Sequence, residues 1–238
     1  LADKLETLVG MFGIGQIPTG DKDPFALRRH ALGVIRMLSE NNLPLSLKSL
    51  LKQAANIFGS QINKANETPS HFIYERLAGS LRDQGNSNQE VEAVLSYLPE
   101  YLCEIPKRLL AVKSFVKLPE AESLAAAYKR VNNILKKAID SSAAFNTHLN
   151  TSLLLEPAEI ELSKALISVK QEVDIAFEQG DYTSSLLSLA ALKKPVDAFF
   201  DSVMVNVDNL DLRANRLTLL DTLHKSMNRV ADLSRLAA

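Results

Sequence analysis

The stretch NLDLRANRLTLLDTLHKSMNRV, residues 209–230, decides the fold class. Its apolar side chains recur every three or four positions, which is the spacing of one face of an α-helix. The same spacing runs through most of the 238-residue chain, whereas alternation with a period of two is scarce. Gly and Pro number only nine each. The sequence therefore predicts an all-α protein. The apolar stripe of the quoted stretch consists of Leu217, Leu220, Leu223, Met227 and Val230.

Turn and capping residues divide the chain into ten predicted helices. Asp23 followed by Pro24 is a good helix start, and Ser46 is a second candidate N-cap. Gly85 suits a left-handed helix end, and Pro195 is expected to kink or restart the helix around it. The predicted helices span residues 2–12, 24–41, 46–64, 70–84, 88–98, 104–116, 120–145, 157–179, 182–205 and 210–236.

A change in composition near Pro119 predicts a domain boundary. Beyond this residue the predicted helices become long and rich in Ala and Leu, with short connections, as in an antiparallel bundle. The sequence therefore predicts one helical domain over residues 1–118 and a helical bundle over residues 119–238.

Composition narrows the class of protein. Apolar residues make up 46% and charged residues 23%, which is typical of a soluble globular chain. The formal net charge of -1 argues against a uniformly basic nucleic-acid binder but permits a local basic face. Because Cys103 is the only cysteine, we expect a reducing, cytoplasmic setting. Neither a signal peptide nor a membrane span is predicted. Since the chain begins at Leu1 with helical spacing, we expect it to start inside a domain.

The last predicted helix carries a basic surplus. Residues 209–238 contain five Lys or Arg and three Asp, a balance that suits phosphate contact. Arg213 and Arg216 fall on or beside the apolar stripe. There they must pair with carboxylates, such as Asp197 or Asp201, or face a ligand at the end of the bundle. A salt-bridged face is the alternative interpretation. The residues predicted on the opposite face are Asn215, Thr218, Lys225 and Arg229.

A second polar and basic cluster begins the predicted bundle. Residues 128–133 read YKRVNN and combine an aromatic ring, two cations and two amides within two turns. These groups can stack on, neutralise and hydrogen-bond a single-stranded RNA loop. An ordinary exposed helix face remains the alternative. The candidate contact residues here are Lys129, Arg130 and Asn133.

No complete catalytic constellation is found in the sequence. The glycine-rich residues 10–15 follow a predicted helix and lack a closing Lys-Ser or Lys-Thr pair, so they are interpreted as a structural loop. The four histidines are scattered without helical partners. Asp3 occurs in an Ala-Asp-Lys-Leu context that resembles a late metal ligand of HD-type phosphohydrolases. The upstream His and His-Asp ligands of that site are absent from the chain, so Asp3 is at most a vestigial ligand.

Several segments together resemble one family, the β subunits of bacterial glycyl-tRNA synthetase. The resemblance runs in order from the first residue to the last. Its specific segments are ADKLETL (residues 2–8), GDKDPFALRR (20–29), KRVNNIL (129–135), PVDAFFDSVMV (195–205) and RANRLTLL (213–220).

The resemblance implies an HD-like helical domain followed by an anticodon-binding bundle of the type named after an Asp-Ala-Leu-Arg motif. Here that motif reads Leu210-Asp211-Leu212-Arg213, which keeps the arginine and displaces the aspartate by one position. In the family an α part makes glycyl-adenylate, with ATP and Mg used by the whole enzyme, and the β part positions tRNA(Gly). The implied partners are therefore tRNA(Gly) and an α subunit or fused α part. No cofactor and no glycine activation are expected for this chain alone.

Two other functions remain open at this point: a fragment of an HD-type metal-dependent phosphohydrolase, and a helical module that binds only protein. A salt-dependent affinity for tRNA would distinguish RNA binding from protein binding. For tRNA recognition, the predicted contact residues are Lys129, Arg130, Asn133, Arg213, Asn215, Arg216 and Arg229.

Overall fold

The computed structural model describes residues 1–62, 67–146 and 148–237, and within these residues it contains helices and no strand. The all-α prediction is therefore confirmed. The chain forms two compact units, Leu1–Pro106 and Lys107–Ala238. No described helix is both long enough and apolar enough to cross a membrane.

The first unit contains α1 to α5 and the start of α6. Helix α1 packs against α2 and α3, and α4 packs against α2 and α5. Its core is made of aliphatic side chains at helical spacing, among them Leu8, Val34, Leu38 and Ile73, all of which are inaccessible to solvent. The bounds are α1 Ala2–Gly13, α2 Leu27–Glu40, α3 Leu47–Phe58, α4 Glu67–Asp83 and α5 Asn88–Leu95, followed by a 3₁₀ turn at Leu102–Glu104.

The second unit contains most of α6 together with α7 to α11. Helix α11 packs against α7 and α8. Helix α10 also packs against α7 and α8, and the final 3₁₀ turn packs on α7. Seven consecutive residues of α11, Ala214 to Leu220, are buried. The bounds are α6 Ile105–Val116, α7 Ala121–Asp140, α8 Pro157–Glu178, α9 Tyr182–Leu187, α10 Lys193–Ser202 and α11 Leu210–Met227, with 3₁₀ turns at Thr151–Leu153, Ser188–Leu192 and Leu233–Leu236.

The division between the units lies twelve residues before the predicted boundary at 118–119. Helix α6 belongs largely to the second unit. The Arg108 guanidinium lies over the rings of Tyr182 and Phe177, at 4.6 and 5.5 Å from their centroids. It also donates to the backbone carbonyls of Arg229 and Val230, at 3.0 and 2.8 Å. Nothing in the local sequence of α6 indicates these distant partners.

Capping chemistry explains several helix starts. Ser46 Oγ accepts from the Ser49 amide at 3.1 Å, as predicted. The Asp23 carboxylate accepts from the amides of Leu27 and Arg28, at 2.8 and 3.0 Å. It therefore serves the first turn of α2, although that helix begins three residues later than predicted.

Several predicted helices extend beyond the observed ones. The one predicted over 120–145 ends at Asp140, where Ser142 adopts a left-handed φ of 52°. The one predicted over 182–205 is broken by the 3₁₀ turn before α10, so Pro195 does accompany a restart. The one predicted over 210–236 ends at Met227. The end of the predicted 46–64 helix extends beyond Phe58, where α3 stops, and residues 63 and 64 lie outside the described part of the chain.

The glycine-rich stretch has a structural explanation. A Cβ at Gly13 would lie 2.5 Å from Cβ of Ile62, and one at Gly10 would lie 2.9 Å from the Phe58 ring. Gly15 has a φ of 78°, which favours glycine. Close packing of α1 and a left-handed turn therefore account for these glycines.

Candidate nucleic-acid interface

Arg216 is a buried structural residue of α11. Its Nε donates to Glu159 Oε1 at 2.7 Å, and Nη1 donates to the Met204 carbonyl at 2.7 Å. Glu159 is inaccessible to solvent and also accepts from the amides of Leu155 and Glu156, at 2.9 and 2.8 Å. The charge on each partner is therefore balanced within the fold.

This pairing differs from the partners that the sequence suggested. Arg216 pairs with a carboxylate, which was one of its two predicted roles, but the carboxylate belongs to Glu159 on α8. Asp197 instead pairs with Lys193 at 2.6 Å and accepts from Ser123 at 3.3 Å. Because Arg216 is only 6% exposed, it does not present its guanidinium at the surface.

Asn215 and Thr218 hold the segment after α7 against α11. The Asn215 side-chain amide donates to the Asn150 carbonyl at 3.0 Å and accepts from the Asn150 amide at 2.8 Å. Thr218 Oγ1 accepts from the Asn146 amide at 2.9 Å. Both side chains were predicted on the outer face of the last helix, and both are buried. That prediction was wrong because the segment after α7 covers this face.

Arg229 is held by the end of α8. It donates to the carboxylates of Asp174 and, at 2.8 Å, Glu178, while its guanidinium lies 4.2 Å from the Phe177 ring centroid. Burial alone would raise the pKa of Asp174, but hydrogen bonds from Lys170 and Arg229 hold that pKa below its ordinary value. The guanidinium of Arg229 is thus engaged within the second unit.

Arg213 lies in the first turn of α11 and is half-buried. Within the described residues, its Nε is buried and has no hydrogen-bond partner. Arg216 and Arg229 each pair with a carboxylate, whereas Arg213 forms no such ion pair within the part of the chain that the structure describes.

A cleft lies between α7 and α11 in the second unit. It has a volume of about 870 Å³, and the segment after α7 forms one wall. Its lining combines apolar side chains with polar groups, so it offers both a stacking surface and hydrogen-bonding groups. Its lining residues are Asn132, Leu135, Lys136, Ile139, Phe145, Asn146, His148, Leu149, Thr218, Asp221, Thr222, His224 and Lys225.

Two of the predicted residues of α7 share a helix face with Lys136, which lines the cleft. Lys129 and Lys136 are seven residues apart, which places them on the same helix face about two turns from each other. Asn133 lies between them, and all three are exposed. Arg130 turns away, and its guanidinium lies 4.3 Å from the Phe200 ring centroid. Of the exposed row Lys129, Asn133 and Lys136, the last residue lines the cleft and the other two continue the row along α7.

His224 is one of the residues that line the cleft. Its ring stacks on Tyr128 with the centroids 5.5 Å apart. Burial lowers the pKa of His224 below its ordinary value, although the carboxylates of Asp221 and Asp232 oppose the shift. The imidazole is therefore neutral at pH 7 and can hydrogen-bond without adding charge to the cleft.

The structure does not assemble the single basic pocket that the sequence suggested from both ends of the bundle. Tyr128 pairs with His224, so the start of α7 meets the end of α11. Arg213 precedes His224 by eleven residues, or about 16 Å along the helix. The two groups of predicted residues therefore lie at different ends of α11.

None of the residues that line the cleft was among the predicted contacts, including the polar and cationic side chains of Asn132, Lys136 and Lys225. The sequence could have indicated Asn132 and Lys136 as neighbours on one face, because they are four positions apart and each follows a buried residue of α7. Lys225 pairs with Asp221 at 2.6 Å and is highly exposed. Its place on the cleft depends on how α11 packs, which periodicity alone does not show.

Asp3 lies exposed on α1. Within the described residues, no group of three or more His, Cys, Asp or Glu side chains is arranged to hold a metal ion.

Two families match this chain. Residues 1–96 match the family described as glycyl-tRNA synthetase beta subunit, and residues 124–233 match the DALR anticodon binding domain. The cleft between α7 and α11 falls within the second match.

Curated relatives match over the whole chain. The glycine–tRNA ligase beta subunit of Polaromonas naphthalenivorans is 60% identical over 238 residues, and that of Paracidovorax citrulli is 61% identical over 237 residues. The corresponding protein of Dechloromonas aromatica is 62% identical over 240 residues. Each match covers 100% of this chain and 33% of the relative, so the chain spans about a third of the length of these proteins.

Proposed function

Because the chain belongs to the glycyl-tRNA synthetase beta subunit family, we propose that it binds tRNA(Gly) and that Lys107–Ala238 contacts the anticodon loop. The bound tRNA is then presented to an α subunit or α part, which attaches glycine in a reaction that uses ATP and Mg. In this proposal the chain contributes tRNA recognition to the ligase and no catalytic group.

The observation that carries the proposal is the cleft between α7 and α11 with its basic rim. Its volume of about 870 Å³ lies within the range of about 300–1,000 Å³ typical of small-ligand sites, so an unpaired base has room to enter. Lys136 lines the cleft from α7, Lys129 is exposed about two turns earlier on the same helix face, and Lys225 lines the cleft from α11. Cations around a concave, partly apolar site suit the backbone and bases of a single-stranded loop.

The groups inside the cleft also suit a cytosine, the base shared by glycine anticodons at two positions. Cytosine offers an exocyclic amine as donor and a carbonyl as acceptor. Asp221 supplies a carboxylate, and Asn132 supplies an amide that both donates and accepts. Phe145 and Leu135 provide apolar surface against which a base can lie.

The test is a titration of tRNA(Gly) at two salt concentrations with the double variant Lys129→Ala, Lys136→Ala. K is the association constant for tRNA(Gly). If both lysines neutralise phosphates of an unpaired loop, the slope of log K against the logarithm of salt concentration should become shallower by about 1.4 in the variant. A matched control replaces Lys164 and Lys194, which are exposed on α8 and α10 outside the cleft. Unchanged affinity and salt slope in the variant that lacks Lys129 and Lys136, with an intact fold, would refute this site. Absence of tRNA binding by the chain itself would refute the proposed function.

A further inference from the structure

The first unit has a pocket of its own. It has a volume of about 640 Å³ and lies between the start of α3, helix α4 and the turn of residues 97–100. Neither the family matches nor the sequence patterns assign a role to it. Two features distinguish it from an incidental surface depression. The turn is hydrogen-bonded to the helices beside it, and the rim of the pocket combines exposed aromatic and cationic groups.

The turn is held at several points. The Tyr74 hydroxyl donates to the Pro99 carbonyl at 2.6 Å, and the Leu47 amide donates to the Glu100 carbonyl at 3.1 Å. The Ser46 hydroxyl donates to the Glu100 carboxylate. Leu98 has a left-handed φ of 47°, a conformation rare for a bulky side chain. These bonds hold the turn in a shape that presents its side chains outward.

The floor of the pocket is neutral. Burial raises the pKa of Tyr74 to about 12, and the nearby Glu100 carboxylate acts in the same direction. The phenol therefore stays protonated at neutral pH and keeps its hydrogen bond to Pro99. The floor consequently adds no negative charge that would repel an anionic ligand.

The rim carries an aromatic ring, an aliphatic side chain and two cations. Tyr97 is 50% exposed and Leu98 is 40% exposed. Lys48 and Lys52 are exposed one turn apart on α3, so their ammonium groups can approach the same ligand. Glu100 is the acidic group on the rim, and its carboxylate already accepts from Ser46.

A flat ring joined to a phosphate matches this combination. An exposed aromatic face stacks on a nucleobase of any sequence, and two neighbouring lysines neutralise the adjoining phosphate. A purely apolar ligand would make no use of the lysines. The charge and the ring together therefore favour a nucleotide.

We propose that this pocket binds one unpaired nucleotide of the same tRNA, with the base against Tyr97 and Leu98 and the phosphate between Lys48 and Lys52. The proposal rests on the proposed function, because it takes tRNA(Gly) as the ligand. It adds a contact in Leu1–Pro106 that is separate from the cleft between α7 and α11.

The experiment uses the complete chain and a transcribed tRNA(Gly). Tyr97→Ala should weaken binding by roughly 5- to 100-fold, and Tyr97→Phe should retain most of the affinity, because stacking needs the ring and not the hydroxyl. Lys48→Ala combined with Lys52→Ala should make the slope of log K against the logarithm of salt concentration shallower by about 1.4. The matched control is Arg29→Ala with Arg36→Ala, two exposed cations of α2 outside the pocket. A photoreactive phenylalanine at position 97 should cross-link to an unpaired nucleotide.

The outcomes separate this inference from the proposed function. Binding that depends on Lys129 and Lys136 but not on Tyr97, Lys48 or Lys52 overturns the pocket alone. A cross-link confined to a double-helical stem overturns the stacking. Equal losses for Tyr97→Phe and Tyr97→Ala also count against stacking. If the chain binds no tRNA at all, the proposed function fails and this inference fails with it.

Discussion

At the scale of single residues, the side chains that contact an arginine determine whether it has a structural role. Arg216 is buried against Glu159, Arg229 is held by two carboxylates, and Arg130 lies over an aromatic ring. All three lie in segments that the sequence suggested for RNA contact. The structure gives them different environments because their partners come from other helices.

We expect Arg216→Ala to lower the free energy of unfolding of the second unit by about 3–5 kcal/mol, because it leaves the buried Glu159 charge without its partner. Urea unfolding followed by circular dichroism measures this loss. The control is Lys129→Ala, an exposed substitution expected to stay within about 0.5 kcal/mol of the parent. A loss below about 1 kcal/mol for Arg216→Ala would show that the pair is not structural. Any reduced tRNA affinity of this variant has to be judged against its loss of stability.

At the scale of elements, α11 organises the second unit by its polar side chains as well as its apolar stripe. Its buried stretch includes Asn215 and Thr218, which fix the segment after α7 through backbone hydrogen bonds. That segment forms a wall of the cleft. The shape of the candidate site therefore depends on side chains that do not themselves touch a ligand.

Asn215→Ala should release this wall. The variant loses two hydrogen bonds between Asn215 and Asn150, each worth about 0.5–1.5 kcal/mol net. We expect faster amide hydrogen exchange at Asn150 and a loss of about 1–3 kcal/mol in unfolding free energy. Asn133→Ala, an exposed amide on α7, serves as the comparison. Unchanged exchange at Asn150 would contradict the anchoring role of Asn215.

At the scale of the whole molecule, the position of α6 determines where the chain divides. Leu109, Val112 and Phe115 of this helix are buried, and Arg108 bonds to backbone carbonyls near the end of the chain. These contacts place α6 with the helices that follow it. Composition alone had placed the boundary after α6, at residues 118–119.

Two fragments test this division. Residues 107–238 should fold with a cooperative thermal transition, since they retain every helix of the second unit. Residues 119–238 should unfold at a much lower temperature. They lose three buried side chains, each worth about 1.5–3 kcal/mol, and the hydrogen bonds from Arg108 to the carbonyls of Arg229 and Val230. Thermal melting by circular dichroism makes the comparison. Equal midpoints for the two fragments would favour the boundary predicted from composition.

Local features of the sequence were sufficient for the helical class, for the N-cap at Ser46 and for the left-handed glycine at Gly85, with φ of 86°. They were also sufficient for the buried stripe of α11. These features depend on spacing and on backbone preferences within a few residues, so periodicity reveals them. The segments that resemble the family also located the bundle that matches an anticodon-binding domain.

Only the tertiary structure decided which polar side chains are structural and which surround a cavity. The ion pair of Arg216 with Glu159 joins residues 57 positions apart, and Asn215 meets a backbone 65 positions away. Helical spacing gives the face on which a side chain lies but not the element that covers that face. Partner choice and cavity shape arise when the helices pack, because burying a charge or amide requires a specific distant group to satisfy it.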